Sequence, residues 1–326
     1  MSKILITGGA GFIGFHLARK YLDLGYEVYL IDNLSRGKID KSLNRLLKNK
    51  NFFFLNQDIC KSEIKLKKNF KFIFHCAAII GVRHVLKKPY DVLTMNHKML
   101  ENAIKYAKKQ KNLNRFVFFS TSEVYAETLK KKLIKFPTSE NSKILIDENY
   151  GVRSTYMLSK LYGEYLTLFS KLPATIFRPH NFYGPRMGMS HVIPELTGKI
   201  LSKKNVKIYS HNHTRTFYFI DDAIDEIYNV LKSSKSKNEV YNIGSQEEVK
   251  VFNLAKKIAS IVNKKNITFK KMKNIHNSPT KRLPSLKKIK KISNFKFKHN
   301  LESGLRKTID WYIKNYFTKK KLKKII

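Results

Sequence analysis

Cysteine is nearly absent: Cys60 and Cys76 are the only two in 326 residues. Two thiols cannot build a staple framework, and neither sits in a metal-ligand pattern, so no disulfide scaffold and no metal centre are expected. Long apolar runs are missing too. Nothing approaches the roughly 18 consecutive apolar residues of a membrane span. Met1 and Ser2 lead straight into Lys3-Ile4-Leu5-Ile6-Thr7, a strand pattern rather than a leader, and the expectation is a cytoplasmic protein. Internal repeats and Gly/Ser-rich linkers are also lacking, which argues against repeat arrays and loosely tethered modules.

Acidic residues are scarce. Asp and Glu number 24 against 65 Lys and Arg, a formal charge of +41. The excess is almost all lysine, with 11 arginines, and it is spread along the whole chain. Nucleic-acid footprints concentrate charge on one face and favour arginine forks. The surplus is therefore read as solvated surface with some attraction for an anionic substrate, and no nucleic-acid partner is expected. The stretch from Lys319 to Lys324 reads as a frayed basic tail, 319–326.

What is present is a core. Hydrophobic residues make up 42% of the chain, ample for one or two apolar interiors. Residues 3 to 125 alternate short apolar strands (Lys3–Thr7, Glu27–Ile31, Phe52–Asn56, Phe70–Cys76, Arg115–Ser120) with helical patterns at Phe12–Leu24 and Leu93–Lys109. Near-continuous apolar strands are expected where helices cover both faces of a parallel sheet. The fold class is α/β, a Rossmann-type doubly wound parallel sheet with a smaller C-terminal substrate-binding lobe. The first domain is placed at 1–180. The lobe, 181–318, carries one or two strands that return to the first sheet. Its pieces are Phe217–Ile220, Asp222–Leu231, Val240–Ile243, Val251–Val262 and Leu301–Tyr316, preceded by a helix at Ser154–Phe169 and a strand at Ala174–Arg178.

The strongest local motif is Gly8-Gly9-Ala10-Gly11-Phe12-Ile13-Gly14, glycines that follow a strand and open a helix. Such a turn brings backbone N–H groups and a helix N-terminus to a pyrophosphate. Asp32 closes the second strand, where a carboxylate accepts hydrogen bonds from the adenosine ribose and repels a 2′-phosphate, which favours NAD over NADP. Arg36 lies near enough to weaken that preference, and Asp58 after the third strand is a candidate for the adenine end.

Tyr156 and Lys160 are four apart and share a helix face. A tyrosine is a poor base at its reference pKa near ~10. A neighbouring ammonium and the positive nicotinamide favour the phenolate, so Tyr156 can take a hydroxyl proton while the substrate is oxidised. The fifth strand ends in Ser120-Thr121-Ser122-Glu123-Val124-Tyr125, at the ligand edge of such a sheet. Thr121 would hold a sugar hydroxyl, and Glu123 is an extra acid or base that simple oxidation does not need.

Together these landmarks resemble the extended short-chain dehydrogenase/reductase family, in particular its NAD-dependent nucleotide-sugar epimerases, dehydratases and decarboxylases. They continue through His75-Cys76-Ala77-Ala78, the run from Arg178 to Arg186, and Arg215 before Asp221-Asp222, so the likeness spans residues 4 to about 310. The resemblance implies a catalytic set of Thr121, Ser122, Glu123, Tyr156 and Lys160. It implies cofactor contacts from Gly8, Gly11, Phe12, Ile13, Gly14, Asp32, Asn33, Asp58, Ile59, Ala77 and Ala78 together with Tyr156 and Lys160. Asn96 would steady the active-site helix. Asn181, Arg186, Arg215 and Arg282 would meet a nucleotide-sugar, UDP-linked in family terms, with arginine forks suited to its diphosphate. The family precedent also implies a homodimer built on the helices Leu93–Lys109 and Ser154–Phe169.

The family's shared step oxidises the sugar at C4. The triplet Thr121-Ser122-Glu123 is similar to that of UDP-glucuronate decarboxylases and GDP-mannose dehydratases, while deoxythymidine-diphosphate-glucose dehydratases carry aspartate at the place of Ser122. A decarboxylase or dehydratase is the leading expectation and a UDP-hexose 4-epimerase the alternative. From other classes, a non-catalytic NAD-binding protein would lack Tyr156 or Lys160, and both are present. The chain departs from the family pattern at Glu127–Arg153, a long stretch expected to overhang the substrate, and at Met187–Pro194.

Overall fold

The computed structural model describes residues 1–146, 150–152, 154–274 and 279–317; Arg153 and the basic tail 319–326 lie outside the described residues. Six of the strands in the main sheet are β1 (Lys3–Thr7), β2 (Glu27–Asp32), β3 (Phe52–Asn56), β4 (Phe72–His75), β5 (Arg115–Phe119) and β6 (Ala174–Pro179). A seventh, Glu239–Ile243, pairs outside β6, so the sheet is ordered Glu239–Ile243, β6, β5, β4, β1, β2, β3, with every neighbour parallel. The order reverses between β1 and β4. Loops leaving those two strands diverge there and open a crevice at their C-terminal ends.

The burial explains the composition of the strands. β1 and β5 are apolar on both faces because helices cover both, and Ile4, Leu5, Ile6, Phe116 and Val117 are all fully buried. Each such side chain contributes about 1.5–3 kcal/mol relative to exposure. One face receives the helices Phe12–Asp23 and Ile220–Lys232; the other receives Pro89–Lys108 and Ser154–Leu168.

The second half is built from fragments that propensity does not announce. Thr214–Thr216 is flanked by Glu248–Lys250, antiparallel, and by Lys281–Arg282, parallel. Asn205–Ile208 pairs with Thr268–Lys271, and Phe182–Tyr183 with Tyr218–Phe219. A boundary at residue 180 does not divide the interior. One apolar cluster runs from Ile4, Phe15 and Phe177 into Phe219, Leu254 and Ile309. Helix Ile220–Lys232 is also riveted to the first helix through Arg19–Asp221 (2.5 Å) and Lys20–Asp225 (2.7 Å).

Most expected elements appear within a residue or two. The helix expected from Leu93 begins earlier, because Pro89 at its first turn needs no N–H partner there. The strand expected over Phe70–Cys76 is shorter, Phe72–His75. The helix Val192–Ser202 was not among the expected elements; it begins at the end of the departure Met187–Pro194.

Candidate active site

The glycines form a cradle of bare backbone. Gly8 has φ +68°, and a Cβ there would lie 2.6 Å from the Ala77 backbone nitrogen. At Gly14 it would lie 2.5 Å from the Gly8 carbonyl oxygen. Gly11 is the N-cap of Phe12–Asp23 and carries no side-chain cap, so the helix presents its positive end and first-turn N–H groups to the loop. Phe12 and Ile13 turn inward against the core. A dinucleotide's pyrophosphate fits this cradle, whose close approaches leave no room for a side chain.

Asp32 ends β2 beside that loop and accepts from the Ala10 N–H (3.0 Å) and the Leu34 N–H (2.8 Å). Burial raises its pKa, and those two hydrogen bonds and Arg186 oppose the rise. Asn33 turns its side chain onto Ser35 N. Asp58 is committed locally, accepting from Cys60 N at 2.9 Å, and Ile59 is buried in the core on that face. Asn96 accepts from Ile79 N (2.6 Å) and donates to Ser159 Oγ (3.1 Å), so it ties the backbone after Ala77 and Ala78 to the helix that carries Tyr156.

Tyr156 and Thr121 come together at the end of β5, their side chains hydrogen-bonded. Thr121 caps the short turn Ser122–Tyr125, accepting from Glu123 N at 3.2 Å, and Ser122 is buried within that turn. Burial, then the negative charge of Glu123, pushes the pKa of Tyr156 up; Thr121 and Arg36 oppose the rise. Lys160 sits deeper, donating to the Phe119 carbonyl at 2.7 Å and lying over the Phe118 ring. Burial lowers Lys160 to about 8, with Cys76 and Glu164 pulling the other way. Among the described residues, the cation acting on Tyr156 is Arg36.

Arg36 was read at the ribose end. It instead reaches from the loop after β2 to the Ile80 carbonyl (3.0 Å), towards Tyr156 and His191. Nothing in the spacing gave this away, since it depends on how two loops meet. Arg186, expected among substrate contacts, is engaged on the cofactor side. It donates to Asp40 (2.5 Å) and the Ala10 carbonyl (2.9 Å), and lies 4.1 Å over the Phe15 ring. Asn181 adopts φ +44° and donates to the Thr216 carbonyl at 3.0 Å, placing it next to Arg215.

Glu123 and Arg282 form a two-pronged fork, with Nη1 to Oε1 at 2.6 Å and Nη2 to Oε2 at 3.0 Å. Arg282 is in register with Arg215 on the neighbouring strand. Burial and the charge of Arg282 lower Arg215 to about 10. The stretch after Glu127 does not simply overhang. Thr138 pairs with the Leu283–Ser285 backbone (2.8 and 2.7 Å), and Glu140 accepts from Asn242 N at 2.9 Å. It is stitched to the sheet edge and to the segment that carries Arg282, because buried backbone groups there need partners.

Beneath the site lies a network that the sequence reading missed. Arg178 donates to both oxygens of Glu164 (2.8 and 2.6 Å), and Ser120 donates to the same carboxylate at 2.5 Å. Arg178 also meets Tyr125 Oη at 2.6 Å. Glu164 stands four residues after Lys160, so the helix period was a usable signal.

A phosphate cradle at the sheet's reversal, facing a tyrosine and a buried lysine, defines an NAD-dependent α/β enzyme. The chain belongs to the NAD dependent epimerase/dehydratase family, whose model matches residues 4–244. Among similar proteins, the UDP-N-acetyl-alpha-D-glucosaminuronate decarboxylase of Bacillus cytotoxicus is 30% identical over 323 residues, covering 95% of this chain and 97% of that one. The dTDP-D-glucose 4,6-dehydratase of Homo sapiens is 26% identical over 344 residues, 99% of this chain and 93% of the relative. A solved UDP-glucuronic acid 4-epimerase from Bacillus cereus, in complex with UDP-glucuronic acid and NAD, superposes with a TM-score of 0.83 at 27% identity, covering 96% of this chain and 99% of that one. No helix among the described residues is long and apolar enough to cross a membrane.

Proposed function

We propose that this enzyme modifies a UDP-linked sugar through a 4-keto intermediate, as a decarboxylase of a hexuronate or a dehydratase. The observation that carries this reading is Glu123. It is a carboxylate at the end of β5 whose charge is felt by Tyr156, where an enzyme that only oxidised and re-reduced C4 would need no further acid or base. The similarity to a decarboxylase and a dehydratase supports it.

Gly8 to Gly14 and Asp32 would hold NAD, which would supply the two-electron acceptor that later returns the electrons. Tyr156, aided by Thr121, takes the C4 hydroxyl proton. The phenol's raised pKa keeps it protonated in the protein as described, and positive charge beside it, from Arg36 and from a bound oxidised nicotinamide, would favour the phenolate that takes the proton. Lys160 holds the Phe119 carbonyl and so fixes the helix that carries Tyr156 against β5. In decarboxylation the new C4 ketone lies β to the C6 carboxylate. The C5–C6 bond breaks, carbon dioxide leaves, the electron pair passes into an enolate, and Glu123 governs the proton that returns to C5. In dehydration the same carboxylate would move the proton of an elimination across C5 and C6.

A 4-epimerase is the second reading, favoured by the structural likeness to the Bacillus cereus enzyme. Product masses separate the three. Incubation with NAD and UDP-glucuronate, UDP-N-acetylglucosaminuronate, UDP-glucose or GDP-mannose is expected to give loss of carbon dioxide or of water. A new isomer of unchanged mass overturns the role given to Glu123.

The assembly is proposed to be a homodimer working in the cytoplasm. Helix Ser154–Leu168 and the residue after it leave Tyr162, Tyr165 and Phe169 at 51%, 59% and 78% exposure, and Tyr162 packs on His97 of Pro89–Lys108. Two helices with an uncovered aromatic face suit a second copy of the same pair. A monomeric mass by light scattering would remove that part.

A further inference from the structure

Arg215 and Arg282 face each other across two paired strands, and Arg282's charge is felt at Arg215. Two half-buried like charges in register call for anions beside them. Glu123 supplies one charge, through the fork to Arg282. The fork leaves capacity unused: Arg282 Nε is buried and has no hydrogen-bond partner. The two members also differ in freedom. Arg282 is 11% exposed and sits on a segment stitched to Thr138, whereas the Glu123 side chain is 40% exposed in a short turn. An anion arriving at the arginines would displace Glu123 and leave Arg282 where it is.

We propose that the Glu123–Arg282 fork is a substrate-operated latch, in which a nucleoside diphosphate takes Arg282 and the released Glu123 carboxylate turns to the sugar beside Tyr156. This rests on the reading that the substrate is a nucleotide-sugar whose diphosphate docks at Arg215 and Arg282. A diphosphate brings more charge and more acceptor oxygens than one carboxylate, and it can engage both guanidiniums at once. While forked, both Glu123 oxygens are committed to Arg282. Acid/base chemistry is thereby coupled to occupancy of the nucleotide subsite, and Arg282 acts as a positioning residue for Glu123 as well as an anion contact.

The test is calorimetric titration of UDP into the full-length, NAD-loaded protein, wild type against Glu123→Gln and Glu123→Asp. Glutamine keeps the shape and removes the charge that UDP must displace. UDP is expected to bind Glu123→Gln about tenfold more tightly than wild type, and Glu123→Asp within a factor of about three. Uridine, which carries no phosphate, is expected to bind all three alike, and thermal melts check that the variants are folded. Equal or weaker UDP binding by Glu123→Gln overturns the latch, as does an equal gain for uridine; in either case the nucleotide-sugar reading stands. If UDP, GDP and dTDP all fail to bind wild type, that reading falls and takes the latch with it.

Discussion

The glycine loop and the Arg215/Arg282 pair are the two proposed anion sites, yet they are made from very different stretches of chain. Gly8 to Gly14 are consecutive, and everything they offer is backbone: a tight turn, a close approach to Ala77 and an uncapped helix end. Arg215 and Arg282 lie far apart in sequence on strands of two or three residues, and only pairing brings them into register. A backbone site can be recognised from spacing, because its geometry is local. A side-chain site assembled by tertiary pairing cannot, because each member alone looks like another surface cation.

The largest effect that separates the two regions is catalytic. Tyr156→Phe is expected to lower turnover by roughly 10³-fold or more while NAD affinity stays unchanged, checked by steady-state rates and cofactor titration. Next comes the support beneath both. Replacing Arg178 with Met leaves the Glu164 carboxylate buried without its fork, an expected loss of about 3–5 kcal/mol in denaturant melts.

Lys160→Met is expected to kill activity and yet raise stability at neutral pH by on the order of 2 kcal/mol, since it removes a buried cation whose pKa falls to about 8. The sign follows from the proton count. Between about 8 and the unfolded value of 10.5 the unfolded chain holds the extra proton, so wild-type stability rises with pH there. The advantage of Lys160→Met should therefore fade across that window, and a gain constant with pH would show that Lys160 is not the cause.

Gly14→Ala places a Cβ 2.5 Å from the Gly8 carbonyl oxygen and is expected to weaken NAD about tenfold without affecting UDP. Arg282→Lys should do the reverse. If both substitutions disturb both ligands alike, the two sites are not independent. The smallest effect is at the surface. Glu195→Gln removes an exposed pair to Lys199 one helical turn away and should change stability by ~0.5 kcal/mol or less.

The main sheet was legible because its strands are apolar on both faces and its helices repeat every three to four residues. The pairing of Tyr156 and Lys160, proposed as catalytic, was legible for the same reason, since both lie on one helix four residues apart. Other features resisted. Arg186 looked like a substrate contact and docks instead at Ala10 and Asp40, a placement set by a turn with φ +70°. Lys160 was expected to act directly on Tyr156, and its amine lies instead against the Phe119 carbonyl. The stretch after Glu127 has no periodic pattern, and its partners, Leu283 and Asn242, come from the far end of the chain.

The most direct test of the account is a single turnover. NAD-loaded enzyme is mixed with the nucleotide-sugar that the product-mass panel identifies, and the absorbance of reduced nicotinamide is followed. A transient rise that decays as product forms, absent in Tyr156→Phe, is the expected result. Product appearing with no such transient would contradict a route through a 4-keto sugar.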